Sequence, residues 1–166
     1  MKAINSSGLT LVEVLVASAI FAFCLSGLLL TYMDLFILTD ISRDSTIANN
    51  VLQAKMEEIK SMDFSELAAL NNTNFDVVDS NSGVIGKGVV YITNAVDPFV
   101  NSTYSDLKTA RVAISFTSRN RVIGEDKDLD GILDAGEDDI RYNGTGVLNS
   151  PVEAITLIKN FTNSTS

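Results

Sequence analysis

GLTLVEVLVASAIFAFCLSGLLLTYM, residues 8–33, is the stretch that decides the fold. From Val14 to Met33 it runs for 20 residues without a charged side chain. At 1.5 Å per residue that is about 30 Å of helix, the thickness of a bilayer core. Met1–Gly8 ahead of it is short and polar, with Lys2 as its only charged side chain. A removable secretory signal is the competing reading, and three features oppose it. Glu13 stands at the front of the apolar run. A cut after Ala17-Ser18-Ala19 would leave a strongly apolar mature end. Phe23 directly precedes Cys24, where a lipoprotein signal has a small residue. The span therefore reads as a retained membrane helix, with Cys24 as an apolar filler in its middle.

The helical pattern does not stop at the membrane edge. Thr39–Met62 contains neither Gly nor Pro. Ile47, Ala48, Val51, Leu52, Lys55, Met56 and Ile59 recur at spacings of three and four, an amphipathic stripe. Leu9 to about Ser61 reads as one helix, with a membrane half over 9–38 and an amphipathic half over 39–62. A stripe that is apolar on one side must dock on something, and residues 63–166 supply it. Lys87–Thr93 is rich in β-formers. Lys108–Ser118 alternates, with Ala110, Val112, Ile114 and Phe116 on one face and Thr109, Arg111, Ser115 and Thr117 on the other. That is the pattern of a half-buried antiparallel strand. Arg119–Gly124 and Pro151–Asn160 are further strand candidates. Asn71–Asn74 and Ser80–Gly83 read as loops, and Thr162–Ser166 as a polar tail. The expected fold class is α+β, a long N-terminal helix packed on a small antiparallel sheet.

Composition removes several function classes. The 166 residues carry 12 Lys+Arg against 21 Asp+Glu, a net charge of −9, which opposes nucleic-acid binding. With no His there is no imidazole base or zinc ligand. One Cys leaves no internal disulfide or paired-cysteine motif. No enzyme is expected.

Gly8-Leu9-Thr10-Leu11-Val12-Glu13-Val14-Leu15-Val16-Ala17 resembles the N-terminal signal of type IV pilins and type II secretion pseudopilins. The resemblance covers roughly residues 1–62, because Asn50–Ile59 is also similar to a stretch of minor pilins. It implies a pilin-like fold with a leader over residues 1–8. A prepilin peptidase would cut after Gly8 and methylate the new amino terminus at Leu9. Glu13 would then be the fifth mature residue, where the family has a Glu that partners the free amine of a neighbouring subunit. A carboxylate beside an apolar span is costly unless partnered, and a buried pair of this kind specifies register more than it stabilises. Leu9 departs from the usual Phe. The absence of a C-terminal cysteine pair, and of Pro in the apolar half, leans toward a minor pilin or pseudopilin. The implied partners are other pilin or pseudopilin subunits, the prepilin peptidase and an inner-membrane assembly platform. The implied location is a single pass through the inner membrane with the C-terminal domain periplasmic, then a pilus or pseudopilus.

A second motif lies in the β-rich part. Residues 126–137, DKDLDGILDAGE, follow the twelve-residue calcium-loop pattern. Asp126, Asp128 and Asp130 occupy positions 1, 3 and 5, and Gly131 the sharp turn at 6. Ile132 would offer its carbonyl at 7, Asp134 falls at 9, and Glu137 is the bidentate position 12. Glu125–Asp139 holds eight acids against Lys127 alone, and such density repels itself without a cation. Hard oxygen donors suit calcium over zinc or copper. The flanks are not helical, so the expected Ca²⁺ is structural. The readings in contention are a minor pilin of a type IV pilus, a pseudopilin of a type II secretion system, and a membrane-anchored calcium-binding surface module.

Overall fold

The computed structural model describes residues 10–81, 83–97, 99–138 and 146–161. Gly8, Leu9 and the leader lie outside the described residues, as do Arg141–Gly144 and the tail from Thr162. One helix, α1 (Leu11–Ser61), is followed by a 3-10 turn (Leu67–Leu70) and five strands: β1 (Thr73–Asp79), β2 (Gly83–Val96), β3 (Thr103–Ser118), β4 (Arg121–Ile123) and β5 (Val152–Lys159). Contacts divide the chain into Met1–Thr39 and Asp40–Ser166.

In the first unit, every described side chain from Thr10 to Leu38 is exposed. This half is long and apolar enough to cross a membrane, with a mean hydropathy of 2.4 in its best window. Its hydroxyls bond back into the helix. Ser18 donates to the Leu15 carbonyl at 2.9 Å, Ser26 to Phe23 at 2.7 Å, and Thr31 to Gly27 at 3.0 Å. Backbone partners of this kind let a hydroxyl sit in lipid. Cys24 is exposed like its neighbours.

The second unit has a core. Ala48, Leu52, Met56 and Ile59 of α1 are buried against Val77 of β1, Ile85, Val90 and Ile92 of β2, Ala110, Val112, Ile114 and Phe116 of β3, and Val152 of β5. The strands are antiparallel in the order β1-β2-β3, with β4 and β5 both pairing with β3. Gly88 makes room for the Phe75 ring, which lies 2.2 Å from where its Cβ would stand. Two ion pairs tie one end of the unit together: Arg43–Asp79 at 2.5 Å and Arg119–Asp40 at 2.5 Å. At the other end the Lys108 ammonium donates to the Phe64 carbonyl at 3.0 Å and sits over the Phe64 ring.

Two expectations are corrected. Asn71–Asn74 is not all loop, because β1 begins at Thr73; its Asn- and Asp-rich wording hides a strand whose inward residues, Phe75 and Val77, are few. β3 is not half-buried either. Ala113 and Ser115, on the supposed open face, are 3% and 4% exposed. The chain between β4 and β5 folds over that face: Leu148 is buried, its N–H donating to the Tyr91 hydroxyl at 2.9 Å, and the Ser150 hydroxyl donates to the Ile114 carbonyl.

Candidate functional site

The acidic loop lies in this overlying segment. Asp126, the first position of the motif, is 1% exposed. One of its oxygens accepts the Gly131 N–H at 3.0 Å and the other the Asp130 N–H at 3.2 Å. Asp128 also accepts the Asp130 N–H, at 3.3 Å, and Asp130 accepts the Ile132 N–H at 2.7 Å. Each aspartate thus curls the chain over its own carboxylate. Oxygens of Asp126, Asp128 and Asp130 come within 4.8 Å of one another. Glu137, at the last position, is also buried, and its two oxygens accept the Lys127 N–H at 2.7 Å and the Asp134 N–H at 3.1 Å.

Gly131 is required twice over. Its φ is +80°, and a Cβ there would stand 2.7 Å from the Asn74 Cβ. Asn74 also donates its side-chain amide to the Asp130 carbonyl at 3.1 Å. β1 therefore holds the turn of the loop. Its base is held by Glu125, whose carboxylate accepts both the backbone and side-chain N–H of Asn149 at 2.8 Å, while the Glu125 N–H donates to the Asn149 carbonyl at 3.0 Å.

Burial, first of all, pushes the Asp126 carboxyl above its usual range, and the Glu137 charge adds to this, against the backbone N–H groups of Gly131, Leu129 and Asp130. A buried carboxylate among like charges is stabilised by a hard dication. The donor set, all oxygen on a loop with a preformed turn, fits calcium. Of the six expected ligands the structure groups three. Glu137 is folded into the loop beside them, tied to backbone N–H groups. Asp134 is exposed, and so is Ile132, at 57%. Sequence reasoning missed Asn74, Glu125 and Asn149, because each acts across long chain separations with no motif to mark it.

At the other end of the chain, Thr10 caps α1: its hydroxyl accepts the Glu13 N–H at 3.3 Å. The Thr-x-x-Glu spacing is a helix-start signature. Glu13 lies in the first turn, exposed, where the helix dipole favours an acid.

An α+β domain behind one apolar helix of membrane length defines a class of single-helix anchored proteins. The N-terminus narrows the class. Residues 4–29 match the family model described as the prokaryotic N-terminal methylation motif. No curated protein and no solved structure matches the chain. The N-terminal segment thus carries the motif of type IV pilin-like, prepilin-type proteins, ahead of a long helix packed on an antiparallel sheet. Proteins with this motif are membrane-anchored structural subunits, which associate with other pilin subunits and are processed by a prepilin peptidase.

Proposed function

We propose that the chain is a minor pilin, a non-enzymatic structural subunit of a type IV pilus. The observation that carries this is the N-terminal segment: the methylation motif at residues 4–29, leading into an uncharged helix with Glu13 in its first turn. Cleavage after Gly8 would create an amine at Leu9, four residues before Glu13. In a bundle of such helices that amine of one subunit and the Glu13 carboxylate of another are opposite charges in an apolar setting, where an unpartnered charge is costly. The chain would sit in the inner membrane with its second unit periplasmic, then enter the filament through an assembly platform. Peptide mapping from the native host should find a mature end at Leu9, with Glu13→Ala leaving the protein in the membrane but depleting it from sheared filaments. Filaments that carry the intact Met1 end would overturn the reading. A chain recovered only with secretion-system subunits would make it a pseudopilin.

We also infer that the 126–137 loop binds one structural Ca²⁺ through Asp126, Asp128, Asp130, Asp134, Glu137 and the Ile132 carbonyl. When bound, the ion would neutralise the carboxylates. The convergence of Asp126, Asp128 and Asp130 supports this. Asp134 and Glu137, in the same loop, would complete the set. Extracellular calcium modules have Kd of about 10⁻⁴–10⁻³ M, and ion at ten times Kd would add about 1.4 kcal/mol. Chelator should lower the Tm by several degrees, and Asp128→Ala with Glu137→Ala should abolish that difference. Superimposed melts with calcium and with chelator would leave the loop an acidic turn only.

A further inference from the structure

β5 is an edge of the sheet. It pairs with β3 on one side, and among the described residues no strand pairs with the other. Free edges are usually blunted by proline, a bulge or an inward charge. β5 contains no proline, and its register with β3 has no shift. Its core-facing row, Val152, Ala154, Thr156 and Ile158, is uncharged. On the opposite face Ile155 and Leu157 are 60% and 61% exposed. The Asn160 N–H donates to the Asp106 carbonyl at 2.8 Å, which makes Asn160 a bonded partner of β3. Bonding direction alternates along an antiparallel strand. Ala154, Thr156 and Ile158 therefore bond to β3, and Glu153, Ile155, Leu157 and Lys159 turn their backbone N–H and C=O groups to the free side.

The side chains along that free side are complementary to their own reverse order. We propose that a second copy of this chain pairs its β5 antiparallel with β5 of the first, about a two-fold axis at Thr156, and joins the two sheets. In this register Glu153 of each copy stands opposite Lys159 of the other, and Ile155 opposite Leu157. All these residues bond outward, so the strands exchange backbone hydrogen bonds at those pairs. Thr156 meets Thr156 at an unbonded position. Opposite charges and apolar side chains directly across from one another are the combinations that stabilise cross-strand pairs. The same patch serves both copies, so the contact closes at two.

Bonding direction and side-chain chemistry fix the centre. An axis between two residues would set an outward-bonding residue against one already bonded to β3. Centring on Ile155 would put Glu153 against Leu157, and centring on Leu157 would put Lys159 against Ile155. Both faces of the seam fit the Thr156 centre. On one face, Arg111 already holds the Glu153 carboxylate at 2.8 Å, and Lys159 of the second copy arrives on that face. On the other, a groove of about 340 Å³ between α1 and β5 is lined by Leu52, Met56, Ala154 and Thr156. Ile158 of the second copy stands opposite the small Ala154 and fills it. The chain's charge of −9 opposes self-association in general. The seam escapes that repulsion, because each copy brings one acid and one base to it.

The contact lies wholly in the second unit and does not depend on the filament reading. Full-length protein in detergent micelles tests it. By light scattering corrected for detergent, the unmodified chain should be a dimer, and Ile155→Lys, a change at an exposed site, a monomer. In a Cys24→Ala background, Thr156→Cys should give a disulfide-linked dimer. An unbonded antiparallel pair sets its Cα atoms about 4.5 Å apart, within disulfide reach. Glu153→Cys alone should give none, because the two copies of residue 153 lie about 20 Å apart along the seam. Adding Lys159→Glu to the Thr156→Cys chain should cut the linked dimer about tenfold, since it sets acid against acid twice. That change leaves the Arg111–Glu153 pair of the chain intact. Mixing this chain with one that carries Glu153→Lys and Thr156→Cys should restore linkage, as the mixed dimer. A monomeric unmodified chain would overturn the second copy as occupant of the edge. Equal linkage at positions 153 and 156, or a mixture that restores nothing, would overturn the two-fold register.

Discussion

Gly131 shows how one residue can carry a loop. It sits at φ +80° with Asn74 against it, so a side chain there meets backbone strain and a clash together. Gly131→Ala should destabilise the second unit by about 1–3 kcal/mol, the cost of a left-handed non-glycine residue, read from urea unfolding. Asn74→Ala should cost less, since it removes one hydrogen bond and leaves the Gly131 backbone unstrained. A second residue-scale device closes the turn between β2 and β3. Asp97 accepts the Phe99 N–H at 2.8 Å, the Tyr104 hydroxyl at 2.7 Å and the Val100 N–H at 3.3 Å. Those donors, Phe99 first, hold its carboxyl below the ordinary value of 3.8, and Asp97 in turn raises the Tyr104 hydroxyl above 10.0. The signs follow from linkage. The Asp97 contribution is present above pH 3.8 and is lost as acid passes its lowered folded value. The Tyr104 contribution is present below pH 10.0 and is lost as base passes its raised one. Tyr104→Phe should shrink both the alkaline and the acid loss, measured as Tm against pH, while the buried Tyr91 hydroxyl, also raised, keeps its own alkaline share.

At the scale of elements, α1 is one helix with two kinds of surface. Leu52 is 5% exposed against the sheet, whereas Leu28 is 68% exposed in the apolar half. Leu52→Ala should cost about 2–5 kcal/mol as a cavity substitution, with the urea midpoint falling and the slope unchanged. Leu28→Ala should leave that unfolding transition where it is. A Leu28 effect as large as that of Leu52 would mean the first half packs within the chain. The stripe at Ala48, Leu52, Met56 and Ile59 was legible in the sequence, because helical periodicity is local. β1 was not. Its inward residues are spaced by Asn, Asp and Thr, and only pairing with β2 makes them a strand. The span between β4 and β5 was legible as a metal-loop pattern but not as a cover, since nothing in its wording names the face it protects.

For the whole molecule, the division at Thr39/Asp40 predicts separable behaviour. The fragment Asp40–Ser166 should fold alone and unfold in a single cooperative step, seen by far-UV circular dichroism and tyrosine fluorescence. It should stay soluble, with its share of a charge of −9 opposing association, while the full chain partitions into membranes. A fragment without a cooperative transition would show that the apolar half of α1 is needed for the fold.

The sequence by itself determined the membrane-length helix, the N-terminal methylation motif over residues 4–29 and the twelve-residue acidic pattern. Each is a short-range signal: uncharged length, fixed spacing and helical periodicity follow from a residue and its near neighbours. Only the tertiary structure decided that β3 is covered on both faces and that Asn74 and the Glu125–Asn149 clamp hold the acidic loop. It alone left β1 and β5 as oppositely directed edges. Those outcomes depend on strand pairing between residues that are far apart in the chain. Burial and hydrogen-bond partners there are set by which strand lies alongside which, and no local pattern encodes that.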